Sequence, residues 1–218
     1  MNLDQYLKQE SDKRIFPWQD VSAWDLPQLQ EAWVQAAKSL LKPKEEYIDV
    51  NPELTKDLLY YLLRDDKFSK DLDKGILLIG PSGTGKTMYT RTLSLLLGYL
   101  HNKKAPSYTG KQMENILRLP NEDEKVVALW KDSLGMIFRF EDIGEENKKV
   151  KVMGTDIDVG VEILGSRSLE FISSGSITIG TSNLPITKLG LKYGARIESR
   201  AFEMFNIYPL EGTDMRKK

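Results

Sequence analysis

The sequence predicts a three-layer α/β fold, a parallel β-sheet with helices on both faces. Three observations predict it. From residue 75 onward, short apolar runs alternate with segments of helical period, the pattern of strands joined by crossover helices. A glycine-rich stretch, GPSGTGKT (80–87), joins the first of these runs, GILLI, to the first helix after it. The 218 residues, 40% of them hydrophobic, are enough for one sizeable domain with its own core.

The elements follow in order. Residues 1–45 form a short N-terminal extension, polar with interspersed Trp18, Trp24 and Trp33. Within it LPQLQEAWVQAAKSLL (26–41) has helical spacing and stops at Pro43. Two readings of this arm stand: its tryptophans pack on the main domain, or it docks a partner. The core domain takes residues 46–218. NPELTKDLLYYLLRDD (51–66) is a helix with Asn51 as N-cap and Pro52 in the first turn. GILLIG is a buried strand and KTMYTRTLSLLLGYL (86–100) a helix. APSYT (105–109) is a short strand, GKQMENILRL and EKVVALWKDS are helices, and GMIFRFED (135–142) is a strand. TDIDVGVEILGSRSLEFIS (155–173) reads as one helix with Ile157, Val161, Leu164, Ser168 and Phe171 on one face. SITIGTSN (176–183) is a strand, GARIESRAFEMF (194–205) a helix and NIYPLEG (206–212) the last strand.

Composition removes several function classes. The net charge of −1 makes any grip on nucleic acid local rather than global. With no cysteine there is no disulfide, thiolate metal site or cysteine nucleophile, and with one histidine there is no histidine-rich metal site. His101, in YLHNKK, reads as a solvated residue at a helix end. The N-terminal stretch lacks the apolar core of a secretory leader, and no run approaches the ~18 apolar residues of a membrane span, so a soluble intracellular protein is expected.

Gly80, Pro81, Ser82, Gly83, Thr84, Gly85, Lys86 and Thr87 satisfy G-x-x-x-x-G-K-[ST], with a strand before and a helix after. Glycines let the backbone curl so that its N–H groups point at phosphate oxygens, and the helix start adds its positive dipole end. Lys86 would reach the β- and γ-phosphates, the Thr87 hydroxyl would ligate Mg²⁺, and Met88 follows at the start of the helix. A nucleoside triphosphate, ATP with Mg²⁺, is the expected ligand. Such a loop needs an acid at the end of a neighbouring strand, and MIFRFEDIGEE (136–146) offers Glu141 and Asp142. The first would support the metal and the second polarise the attacking water; Asp142 with Glu145 or Glu146 is the competing assignment. Arg139 is out of place in a strand expected to be apolar on both faces. Asn183, with Thr181 or Ser182 as support, could hold the attacking water against the γ-phosphate.

Arg196 and Arg200 stand four apart on one helix face. They read either as an arginine finger acting in a neighbouring subunit's site, or as surface residues paired with Glu198 or Glu203. Arg216, in the closing EGTDMR, could touch the γ-phosphate or lie in a solvated basic tail. NKKVKVMG (147–154) reads as a basic loop whose Lys148, Lys149 and Lys151 could neutralise DNA phosphates, or as ordinary solvated chain.

GPSGTGKT, FEDIGEE, GTSNLP, YGARIESRAFEMF and EGTDMR occur in an order that resembles the DnaC/DnaI helicase loaders and the IstB-like transposition ATPases of the AAA+ superfamily, over about residues 70–216. The resemblance implies an AAA+ core, with a five-stranded parallel sheet of order 5-1-4-3-2 and no full lid domain. It places Lys86 and Thr87 in Walker A, Glu141 and Asp142 in Walker B, Asn183 at sensor 1, Arg196 and Arg200 in the arginine-finger box and Arg216 at a sensor 2-like position. It implies an ATPase that assembles head to tail on DNA, single-stranded by preference, and delivers a ring helicase. The IstB-like alternative coats DNA and recruits a transposase. A cytoplasmic protein of bacterial, phage or mobile-element origin is implied too. The Glu-Asp pair departs from the Asp-Asp or Asp-Glu usual in these proteins. That departure leaves open a slow hydrolase or a non-hydrolysing nucleotide switch. A small-molecule kinase would need a lid arginine cluster and an acceptor pocket, and neither is legible.

Overall fold

The computed structural model describes residues 5, 16–43, 45–118, 123–147, 149–152 and 155–212. Its helices, in chain order, are α1 (Leu26–Ser39), α2 (Pro52–Leu63), α3 (Lys86–Leu100), α4 (Gly110–Arg118), α5 (Asp123–Ser133), α6 (Val159–Ser174), α7 (Ile186–Tyr193) and α8 (Ala195–Met204). Its strands are β1 (Gly75–Ile79), β2 (Ser107–Thr109), β3 (Ile137–Glu141), β4 (Val150–Val152), β5 (Thr155–Ile157), β6 (Ile177–Ser182) and β7 (Phe205–Pro209). Five of them make a parallel sheet, ordered β2-β3-β6-β1-β7. The chain labels differ from the expected 5-1-4-3-2 because β4 and β5 form a separate antiparallel hairpin where the sequence predicts a loop and a helix start. With that hairpin left out of the count, the five sheet strands read 5-1-4-3-2 from the β7 edge.

The period-two alternation of a strand sends successive side chains to opposite faces. Ile76 and Leu78 of β1, with Ile137, Ile177 and Ile179, meet α1, α2 and α3 on one face. Leu77, Phe138 and Phe140 meet α4, α6 and α8 on the other. These two cores lie between the three layers that the alternation predicted.

The arm is part of the first core. Asp25 caps α1 in a reciprocal box with Gln28, and Leu29, Trp33 and Ala37 form its buried stripe. Trp33 donates to the Tyr47 hydroxyl at 3.0 Å, and Trp18 and Trp24 pack at the edge of the same core. His101, expected in solvent, is fully buried. Phe16 and Trp18 close over it, and its Nδ1 accepts from the Gln19 backbone N–H at 3.0 Å. Burial, helped by the Arg64 charge, pushes its pKa down to about 4.

That burial gives a signed pH dependence. An unfolded histidine takes its proton near pH 6.5, whereas the folded one does so near 4. In this window the unfolded chain binds more protons, so stability falls as pH drops below about 6.5. The loss should reach about 2 kcal/mol by pH 5. Urea midpoints at pH 7 and pH 5 should converge for His101→Gln relative to the parent; equal pH slopes for the two proteins would contradict the burial.

One helix starts later than its sequence pattern suggested. Residues 155–157 are β5, and Asp158 caps α6 by accepting from the Val161 N–H. The buried face of α6 is then Val159, Gly160, Ile163, Leu164, Arg167 and Ser168, without Ile157. Among the described residues no helix is long and apolar enough to cross a membrane.

Candidate nucleotide site

The stretch 80–87 leaves β1 and enters α3 at the C-terminal edge of the sheet, where open α/β sheets bind ligands. Gly80, Gly83 and Gly85 have φ of 151°, 84° and 88°, and Gly85 is the N-cap of α3. Gly80 has a second constraint: a Cβ there would lie 2.1 Å from the Leu210 carbonyl oxygen. The Lys86 ammonium donates to the Gly80 and Pro81 carbonyls, each at 2.7 Å, and to Asn183 Oδ1 at 2.9 Å. Thr84 is buried and its hydroxyl donates to the Pro81 carbonyl at 3.0 Å.

A cleft of about 380 Å³ opens over this loop, and Lys86, Thr87, Met88, Arg91, Asp142 and Asn183 are among the residues that line it. Leu40 and Glu45, from the end of the arm, form part of its rim. Next to it lies an apolar cleft of about 360 Å³, bounded by Leu41, Tyr47, Ile48, Val50 and Tyr89 and sharing Gly85 and Met88 with the first. Two adjoining clefts, one polar at a helix N-terminus and one apolar, suit a ligand with a polyphosphate and a flat base.

The two acids at the end of β3 part ways. Asp142 sits at φ 54°, a left-handed conformation that Asp tolerates better than most residues. Its N–H donates to Thr181 Oγ at 2.9 Å, and its carboxylate borders the cleft. Partial burial pushes the Asp142 pKa up, the Glu145 and Glu141 charges add to this, and Lys86 opposes it. Glu141 lies on the opposite face of the strand end, beside α3, and is not among the lining residues. Both its oxygens accept from Arg91, at 3.2 and 3.1 Å, and Arg139 Nε stands 3.1 Å from Oε1. Arg139, out of place in the sequence, is thus paired with Glu141 and also donates to Ser94 and Ser107.

Asn183 bridges Lys86 and Glu145: its Oδ1 accepts from the ammonium and its amide donates to Glu145. Glu145 also faces Lys111 across 3.7 Å. Glu146 is buried, accepting from Tyr193 and the Gly144 N–H, which makes it a structural acid. Of the competing pair, Glu145 is therefore the one beside Asn183.

Other expected residues lie apart. Arg196 is exposed on α8, and Arg200 pairs with Glu203 at 2.6 Å; neither lines the cleft. Lys149 and Lys151 are exposed at the start of the β4–β5 hairpin, and Lys148 and Arg216 lie outside the described residues. Arg91 is a lining residue that the motifs do not name, although its position four after Thr87 puts both on one helix face. Leu40 and Glu45 approach the loop with no local sequence signal.

No family model and no curated protein sequence matches this chain. Solved structures do. The crystal structure of the DnaC helicase loader superposes with a TM-score of 0.57 at 17% identity, covering 84% of this chain and 99% of that one. DnaI matches with a TM-score of 0.57 at 17% identity, over 84% and 91% of the two chains. AMPPCP-bound DnaA from Aquifex aeolicus gives 0.55 at 14% identity, over 81% of this chain and 53% of its own. The chain therefore shares the α/β fold of these structures, with a parallel five-stranded sheet between helices.

Proposed function

We propose that the chain binds ATP with Mg²⁺ and hydrolyses it slowly, in head-to-tail assemblies on single-stranded DNA that deliver a ring helicase. The observation that carries this reading is the cleft in which Lys86, Thr87, Asp142 and Asn183 meet at the N-terminus of α3. Lys86 would hold the β- and γ-phosphates. The Thr87 hydroxyl and the acidic end of β3 would hold Mg²⁺. Among the described residues no cluster of three or more acids or histidines could cage a metal unaided. That suits Mg²⁺, which takes one or two carboxylates and completes its shell with phosphates and water. Asn183 and Glu145 stand where an attacking water could be oriented, and the apolar cleft beside Met88 would take the base. Arg196 and Arg200, outside the cleft of their own chain, would complete that of a neighbour. Likeness to a helicase loader favours this reading over an IstB-like ATPase that coats duplex DNA and recruits a transposase. Both place the protein in the cytoplasm.

DNA contact is assigned to Lys148, Lys149 and Lys151. Each phosphate neutralised on a single strand contributes about 0.7 to the slope of log affinity against log salt. Replacing all three with Ala should lower that slope by about 2, measured by fluorescence anisotropy with ATP present. An unchanged slope removes the hairpin from the DNA surface. Tighter binding to single-stranded than to duplex DNA supports loading, and the reverse preference supports the transposition reading.

A further inference from the structure

We propose that Arg91 is a polyphosphate-contacting residue of the cleft, that Glu141 is its positioning residue, and that Asp142 alone supplies the β3 carboxylate for the cation. The proposal rests on the triphosphate reading above and assigns roles within that site.

Arg91 stands one turn along α3 from Thr87, and both line the cleft. The Arg91 side chain is 45% exposed, whereas that of Glu141 is 4% exposed. Glu141 grips Arg91 through Nε and Nη2, while the Arg91 Nη1 makes no hydrogen bond among the described residues. A guanidinium fixed on one edge and open on another is preorganised for a phosphate oxygen, because little rotamer freedom remains to be lost.

The same pairing argues against Glu141 as a metal ligand. Its two oxygens already face two guanidinium groups, Arg91 in front and Arg139 behind. A divalent cation there would have to displace Arg91 and sit beside two positive charges in a poorly solvated corner, where repulsion is weakly screened. Strand geometry explains the division of labour. Glu141 shares its strand face with Ile137 and Arg139, towards α3, while the positive φ of Asp142 sets its carboxylate at the cleft.

The test is equilibrium binding of ATP to the full chain, by displacement of a fluorescent ATP analogue, in EDTA and in Mg²⁺. Arg91→Ala should weaken metal-free binding about 10-fold, the size of a lost charge-assisted contact. Arg91→Lys, which keeps the charge without the fork, should recover part of it. The factor by which Mg²⁺ tightens binding should be the same for the parent, Arg91→Ala and Glu141→Gln, and should vanish for Asp142→Asn. Glu141→Gln should weaken metal-free binding in the parent but have no further effect in Arg91→Ala. A Mg²⁺ effect lost in Glu141→Gln, or ATP affinity unchanged or tightened in Arg91→Ala, overturns the proposal. So does a full Glu141→Gln effect without Arg91, since a purely structural role would give that. Lys86→Ala run alongside separates the two levels. If the parent binds ATP and Lys86→Ala does not, the triphosphate reading stands and the Arg91 arms alone decide. If the parent binds no ATP under either condition, the reading falls and takes this proposal with it.

Discussion

Arg196→Ala and Arg200→Ala are expected to lower ATP turnover by about 10³-fold while leaving ATP affinity of the separate chains unchanged. The expectation follows from where the side chains are. Among the described residues Arg196 is exposed on α8 and Arg200 pairs with Glu203, and neither lines the cleft. An arginine that stabilises charge on the transferring phosphoryl acts in the transition state, so its removal appears in turnover and not in ground-state binding. The decisive form of the measurement is mixing. Lys86→Ala chains keep their arginines but lack a working cleft. Arg200→Ala chains keep the cleft. Equimolar mixtures should regain turnover that neither protein has alone. A mixture as inactive as its components would return Arg196 and Arg200 to the role of surface ion-pair residues.

Lys86→Ala is expected to weaken ATP binding by about 100-fold or more, the scale of a charged contact with polyphosphate lost in a partly desolvated cleft. Lys86 is 5% exposed and is held by two carbonyls of its own loop and by Asn183. Its ammonium is therefore already placed over the loop. Removal should leave the fold intact, since Gly80 is half-buried and Pro81 exposed, so water can take the place of the ammonium. Circular dichroism and the thermal midpoint of Lys86→Ala should match the parent. Retained ATP affinity in a folded Lys86→Ala protein would refute the role of the loop.

What was legible in the sequence was local. The eight residues 80–87 specify their own backbone, because three glycines permit positive φ and the helix that follows supplies the N-terminus. The alternation of apolar runs gave the layers, since each strand buries both faces. What was not legible depended on partners far along the chain. His101 looks like a solvated helix end until Phe16, Trp18 and Gln19 fold over it from 82 residues away in the case of Gln19. Glu141 looks like half of an acidic pair until Arg91, 50 residues earlier, takes both its oxygens. Arg139 looks like an error in a buried strand until Glu141 and the two serines account for it. The start of α6 is an intermediate case. The capping signal at Asp158 is local, but the helical period of 159–173 extends far enough back to mask the short strand before it.

Calorimetric titration of ATP into the full chain with Mg²⁺ tests the central claim most directly. The arrangement of Lys86, Thr87, Asp142 and Asn183 predicts saturable binding of one ATP per chain, with AMP binding far more weakly because it lacks the phosphates that Lys86 would hold. The absence of saturable ATP binding, or equal affinity for ATP and AMP, would contradict it.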